Sequence, residues 1–139
     1  MTLARPRVMG VLNVTPDSFY DGGRYLEPSA AVARAACMAK QGADILDIGG
    51  ESARPGALPV SLQEELDRVL PVVEALRRQI DIPISIDTTK PEVMRAAVAA
   101  GAAMVNDVNA LRAADALTTV VELGVPVCLM HMQGQPRNM

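Results

Sequence analysis

The chain has 139 residues, half of them apolar and 21% charged, which excludes a disordered tail. Its net charge of −3 argues against a nucleic-acid binder, which needs a basic face. No apolar run approaches the length of a membrane span, and Met1 to Arg7 has no apolar core of a secretory signal. The two cysteines, Cys37 and Cys128, sit in apolar segments without metal-ligand spacing, so the simplest reading is a reduced, cytoplasmic protein. Tryptophan is absent, and Phe19, Tyr20 and Tyr25 are the only aromatic residues, so the core must be built from aliphatic side chains.

In chain order, Val8–Asn13 reads as a first strand and 30–41, opened by Pro28-Ser29, as a helix. Ala43–Gly49 reads as a second strand. Ser61-Leu62-Gln63-Glu64 reads as a capping box opening a helix whose apolar face is Leu62, Leu66, Val69, Leu70, Val73, Leu76 and Ile80. Pro71 is expected to kink that helix, because it cannot bond the carbonyl of Asp67. Pro83–Asp87 reads as a third strand, and Thr89-Lys90-Pro91-Glu92 as a second capping box before a helix over Val93–Ala100. Ala103–Asp107, a helix over Ala113–Leu123, and a strand over Val125–His131 complete the pattern. Gly42, Gly101 and Gly124 each follow a helical run and precede a strand, where glycine tolerates a positive φ. The strands are nearly continuous apolar runs, the pattern of a parallel sheet buried on both faces.

Polar residues gather where strands end: Asn13, Asp47 with Glu51, Asp87, Asn106 with Asp107, and His131. In parallel α/β folds those ends form the active face. The fold class is therefore α/β, with five strands and four helices. A (β/α)8 TIM barrel needs eight units. Residues 131–139 read as a loop entering a sixth unit, so the chain is expected to be a truncated barrel that would leave it open. His131, the single histidine, reads as a structural hydrogen-bonding residue.

Five segments, in order and spacing, closely resemble the dihydropteroate synthase family: Met9-Gly10-Val11-Leu12-Asn13-Val14-Thr15-Pro16-Asp17-Ser18-Phe19, Gly42-Ala43-Asp44 through Asp47-Ile48-Gly49-Gly50-Glu51-Ser52-Ala53-Arg54-Pro55-Gly56, Ser85-Ile86-Asp87-Thr88-Thr89-Lys90-Pro91, Val105-Asn106-Asp107 and Met130-His131-Met132. The resemblance implies that residues 1–139 are the N-terminal part of a single pterin-binding TIM-barrel domain. It implies a transferase of folate biosynthesis that joins p-aminobenzoate to 6-hydroxymethyl-7,8-dihydropterin diphosphate, uses Mg²⁺, works as a cytoplasmic homodimer when intact, and is a sulfonamide target. It places Asn13 at the metal, Asp87 and Asn106 in the pterin pocket with Asp87 also catalytic, and Asp17, Ser18, Phe19, Ser52 and Arg54 in two loops that close over the substrates. An amide oxygen suits Mg²⁺, which takes much of its coordination from waters and substrate phosphates. A carboxylate and an amide suit the donors and acceptors of a pterin edge. Ala53 departs from the family, which often has threonine there, so no side-chain hydroxyl is available at that position. The later lysine and the Asp-Pro-Gly and Arg/His anion-holding segments have no counterpart here, and Lys40 and Lys90 are not assigned to replace them. The chain alone is therefore expected to be inactive. The alternatives are another pterin-binding barrel of the methyltransferase type and a non-catalytic half-barrel that binds or oligomerises.

Overall fold

A computed structural model describes residues 2–15, 28–53, 55–131 and 133. Nine elements alternate: β1 (Met9–Asn13), α1 (Pro28–Lys40), β2 (Ile45–Gly49), α2 (Leu62–Arg77), β3 (Ile84–Asp87), α3 (Pro91–Ala100), β4 (Met104–Asp107), α4 (Ala116–Leu123) and β5 (Val127–Leu129). The five strands pair in chain order, β1-β2-β3-β4-β5, and every pairing is parallel. Each connection therefore crosses through a helix, the repeat from which a (β/α)8 barrel is built.

One face of the sheet supplies Leu12, Leu46, Ile48, Ile84, Ile86 and Val105 to the core. They meet Val69, Val72, Val73 and Leu76 of α2, Val93, Met94 and Ala97 of α3, and Ala31, Val32 and Ala35 of α1. Fully burying each large aliphatic side chain contributes ~1.5–3 kcal/mol. The core among the described residues is aliphatic; Phe19, Tyr20 and Tyr25 lie outside them. Burial on both faces holds for β2, which is buried throughout, and for most of β3. It fails at the margins: Val11 of β1 and Leu129 of β5 are each 53% exposed, because an outer strand has a neighbour on one side only.

The expected element ends need three corrections. Ser61 does cap α2, its Oγ accepting from the Glu64 amide at 3.2 Å. Thr89, however, caps nothing. The N-cap of α3 is Lys90, with Pro91 in the first turn and no side-chain cap bond. Thr88 takes up the local turn instead, its Oγ1 accepting from the Lys90 amide at 3.2 Å. The helix expected from Ala113 begins at Ala116. Asp107 holds the intervening turn by accepting from the amides of Asn109 (2.8 Å) and Leu111 (2.9 Å), and Ala110, Leu111 and Asp115 all have positive φ. The last strand ends at Leu129, two residues short of the exposed His131. Helix α2 continues through Pro71, which lies on its exposed side. Gly42, Gly101 and Gly124 have φ of 106°, 122° and 65°, as a glycine-terminated helix needs. Cys37 and Cys128 are exposed free thiols.

Candidate functional site

Side chains alternate across a strand, so the residues between the core positions point to the face away from the helices. The register aligns one row of them across the whole sheet. Asn13 pairs with Gly49, Gly49 with Asp87, Asp87 with Asn106, and Asn106 with Cys128. All five positions close their strands at the C-terminal end or stand one residue before it. The next row down is Val11, Asp47, Ser85 and Met104. Asn13, Asp47, Ser85, Asp87 and Asn106 thus form a polar patch on an otherwise aliphatic sheet. Asn13 and Asp87 stand two strand spacings apart, ~10 Å.

Gly49 lies between them, and its missing side chain is what leaves room. A Cβ there would stand 3.3 Å from both Cβ and Oδ2 of Asp87. Gly50 serves the other face: a Cβ would come within 3.0 Å of Val69 and 3.3 Å of Glu65, so helix α2 packs directly on the backbone. Arg68 binds this turn, donating to the Gly50 carbonyl at 2.9 Å.

Asp87 is partly buried, and its pKa is pushed up to about 7. Burial is the main cause, and the negative charges of Asp47, Glu65, Asp107 and Glu51 push the same way. Asp47 is 3% exposed and is also raised, first by burial, with the Ser85 and Asn106 side chains opposing. Asn106 donates through Nδ2 to Asp47 Oδ2 at 2.9 Å. The Ser85 hydroxyl lies close enough to oppose the Asp47 rise, yet Asp47 Oδ1 and Ser85 Oγ close no well-formed hydrogen bond among the described residues. Asp107 is raised by burial as well, against the amides of Asn109 and Leu111. Its two backbone bonds place it as a turn former on the helix-side face rather than in the polar patch.

Beside the patch stands a buried charge cluster that sequence reasoning missed. Glu65 of α2 is fully buried. It accepts from Thr88 Oγ1 at 2.6 Å and from Lys90 Nζ at 2.6 Å. Lys90 also reaches Glu51 at 3.3 Å, and Glu51 accepts from the Val60 amide at 2.6 Å. Burial works against the Lys90 charge, but the two carboxylates outweigh it and hold its pKa above the ordinary lysine value. The cluster ties the β2–α2 loop to the start of α3. Thr88 links it to the patch, since its amide donates to the Asn106 carbonyl at 3.1 Å. A glutamate at a position in phase with Val69, Val72 and Leu76 was the available signal, because an acidic residue on a buried helix face needs a partner.

Of the residues expected to act together, Asn13, Asp87 and Asn106 share one register row, and Ser52 lies partly buried three residues past β2. Asp17, Ser18, Phe19 and Arg54, with the rest of the first loop, lie outside the described residues.

Residues 9–139 match the model of the pterin binding enzyme family. The dihydropteroate synthase of Escherichia coli K12 is 52% identical over 139 residues, covering 100% of this chain and 49% of its own length. The Xanthomonas albilineans dihydropteroate synthase with 4-aminobenzoic acid is 63% identical with a TM-score of 0.92, over 96% of this chain and 49% of that one. The same organism's enzyme in complex with 7,8-dihydropteroate is 59% identical with a TM-score of 0.86, over 96% and 48%. The chain therefore spans about half the length of the relatives it matches, as five of eight β/α units would, and it belongs to the pterin-binding enzyme family.

Proposed function

We infer that the chain forms the N-terminal, pterin-holding half of a dihydropteroate synthase. The enzyme would condense 6-hydroxymethyl-7,8-dihydropterin diphosphate with p-aminobenzoate to give 7,8-dihydropteroate and diphosphate. The observation that carries this reading is the single row Asn13–Gly49–Asp87–Asn106 across the ends of four consecutive parallel strands. The row offers a carboxylate and an amide side by side, with an open gap over Gly49. A flat heterocycle with adjacent donors and acceptors matches that edge. The ligands named for the Xanthomonas albilineans relatives, 4-aminobenzoic acid and 7,8-dihydropteroate, are the acceptor and product of the same reaction.

In the reaction the amine nitrogen of p-aminobenzoate bonds to the methylene carbon of the pterin. The carbon–oxygen bond to diphosphate breaks, the oxygen leaves with the electron pair, and the amine loses a proton. Asp87 accepts hydrogen bonds from ring donors. It also stabilises positive charge that spreads over the dihydropterin as the carbon–oxygen bond lengthens. Asn106 supplies an acceptor and a donor beside it. Phe19 in the first loop and Arg54 in the second cover the acceptor side, with Asp17, Ser18 and Ser52 as polar contacts, and sulfonamides occupy the same acceptor position.

Among the described residues no group of three or more His, Cys, Asp or Glu could hold a metal ion. Asn13 offers one neutral oxygen at the rim of the row. That fits Mg²⁺, which keeps several waters and binds substrate phosphates. When bound, it would neutralise charge on the departing diphosphate. No helix among the described residues is long and apolar enough to cross a membrane. The homodimer rests on the family resemblance, and the cytoplasmic compartment on the cysteine usage.

The test joins this chain to the matching C-terminal half of the Xanthomonas albilineans enzyme and follows labelled p-aminobenzoate into dihydropteroate. The expected result is turnover by the hybrid, at least 100-fold reduced by Asp87→Asn at saturating pterin, and none by the 139-residue chain alone. A folded hybrid without turnover, or one indifferent to Asp87→Asn, would overturn the assignment.

A further inference from the structure

Asp47 has no place in the reaction described above, yet it is buried beneath the polar row at 3% exposure. A buried carboxylate is costly unless its oxygens are used. One oxygen is: Oδ2 accepts from Asn106 Nδ2 at 2.9 Å. The other, Oδ1, and the neighbouring Ser85 Oγ close no well-formed hydrogen bond among the described residues. Asp47 and Ser85 are themselves a register pair, one row below Asp87 and two residues along each strand from Gly49 and Asp87.

An asparagine amide can be turned over with little change of shape, exchanging its carbonyl oxygen for its NH₂ group. Toward a ligand the two orientations are opposites: one offers an acceptor where the other offers donors. An acceptor oxygen held immobile next to the amide removes this ambiguity. Asp47 sits on β2 and Asn106 on β4, on either side of β3, so the contact spans the strand that carries Asp87. Both side chains belong to rigid sheet positions rather than to loops.

We propose that Asp47 is a positioning residue that locks the Asn106 amide in one orientation, so that Asn106 Oδ1 faces the open side of the sheet as an acceptor for a ring N–H or amino group of the pterin. This deepens the proposed function and rests on it for the identity of the ligand. The orientation of the amide is a property of the chain itself. The site thereby reads donors on the heterocycle at two neighbouring places: at the Asp87 carboxylate and at Asn106 Oδ1.

The experiment has a ligand-free arm and a ligand arm, both on the 139-residue chain. Side-chain amide NMR follows the two Asn106 Nδ2 protons in the wild type, in Asp47→Asn and in Asp47→Ala. The lock predicts one slowly exchanging proton in the wild type, and faster exchange in Asp47→Ala with other amides unchanged. Unaltered Asn106 exchange in Asp47→Ala would overturn the proposal. Calorimetry with 6-hydroxymethyl-7,8-dihydropterin diphosphate then forms a double-mutant cycle. Asp47→Asn, which keeps the shape but allows both amide orientations, is expected to weaken binding about tenfold. In an Asn106→Ala background the same change is expected to alter affinity less than twofold. Equal losses in both backgrounds, or no loss in the first, would show that Asp47 does not act through Asn106. A wild-type chain that binds no pterin diphosphate counts against the function proposed above, and the NMR arm alone then decides the orientation.

Discussion

Removing the charge of Asp87 should make the protein more stable while making it a poorer binder. A carboxyl group titrating at about 7 in the folded protein and near 3.8 when unfolded binds its proton more tightly in the native state. Its contribution to stability is therefore full below about pH 4, declines as the pH rises, and is gone once the pH passes through about 7. The shift of roughly three units corresponds to ~4 kcal/mol at most. Part of this is recovered by water at the partly exposed carboxylate, and the amide of an asparagine is also desolvated there. A gain of about 2 kcal/mol for Asp87→Asn at pH 8, shrinking to near zero at pH 4, is the expected outcome. Urea unfolding of the two proteins at several pH values measures it directly. Asp47 and Asp107 repel the Asp87 charge, so the measured difference also includes the relief felt at those two carboxylates.

The same proton governs binding. Under the proposed function, pterin donors would meet the ionised carboxylate, so binding would expel the proton wherever Asp87 is protonated in the free protein. Pterin affinity should rise about tenfold per pH unit below about 7 and level off above it. In Asp87→Asn that slope should vanish. Carboxyl-carbon NMR gives the titration itself. An Asp87 that titrates near 4, or an asparagine variant no more stable than the wild type at pH 8, would refute the view that burial and four acidic neighbours load this position with unfavourable charge.

Glu65→Ala should destabilise the fold by about 3 kcal/mol in urea unfolding, because Thr88 loses its acceptor and Lys90 one of its two partners in a partly buried site. Gly49→Ala should weaken pterin binding about tenfold in calorimetry while lowering stability by only about 1–2 kcal/mol, since the new methyl group meets Asp87 Oδ2 at 3.3 Å in ordinary extended backbone. In the hybrid enzyme, Phe19→Ala should raise the KM for p-aminobenzoate severalfold and leave pterin affinity unchanged, as steady-state kinetics against calorimetry would read. The 139-residue chain by itself should self-associate in light scattering, because Val8, Val11 and Leu129 at the sheet margins and Leu117 and Val121 on α4 are all more than half exposed.

What sequence could and could not reveal follows the range of the forces involved. Strand ends were legible because a single polar residue interrupts an apolar run, as at Asn13, Asp87 and Asn106. The Ser61 cap was legible because both partners lie within four residues. The second cap failed because Thr88 rather than Thr89 supplies the turn hydroxyl, and Thr88 is oriented by Glu65, 23 residues away. The late start of α4 was hidden because Asp107 spends its carboxylate on two backbone amides of the turn. Asp47 was visible as a polar residue in β2, but its contact with Asn106 joins residues 59 apart across an intervening strand. No local pattern encodes that pair.

The parallel register explains why this face concentrates so much negative charge. Alternation sends every second residue of each strand away from the helices, and in-line pairing sets Gly49, Asp87 and Asn106 side by side. Asp47 then falls one row below, within reach of Asn106 and of the field at Asp87. Of the basic groups near this region among the described residues, Lys90 is already held by Glu65 and Glu51, and Arg68 donates to the Gly50 carbonyl. The patch is thus left short of positive charge in the free protein, with Asp87 near half-protonation at neutral pH. A ligand that brings N–H donors, or develops positive charge as it reacts, relieves that imbalance at the atom where it is greatest. Under the proposed function, binding and transition-state stabilisation would draw on the same stored repulsion, so a substitution that removes the repulsion should stabilise the fold and weaken the chemistry together.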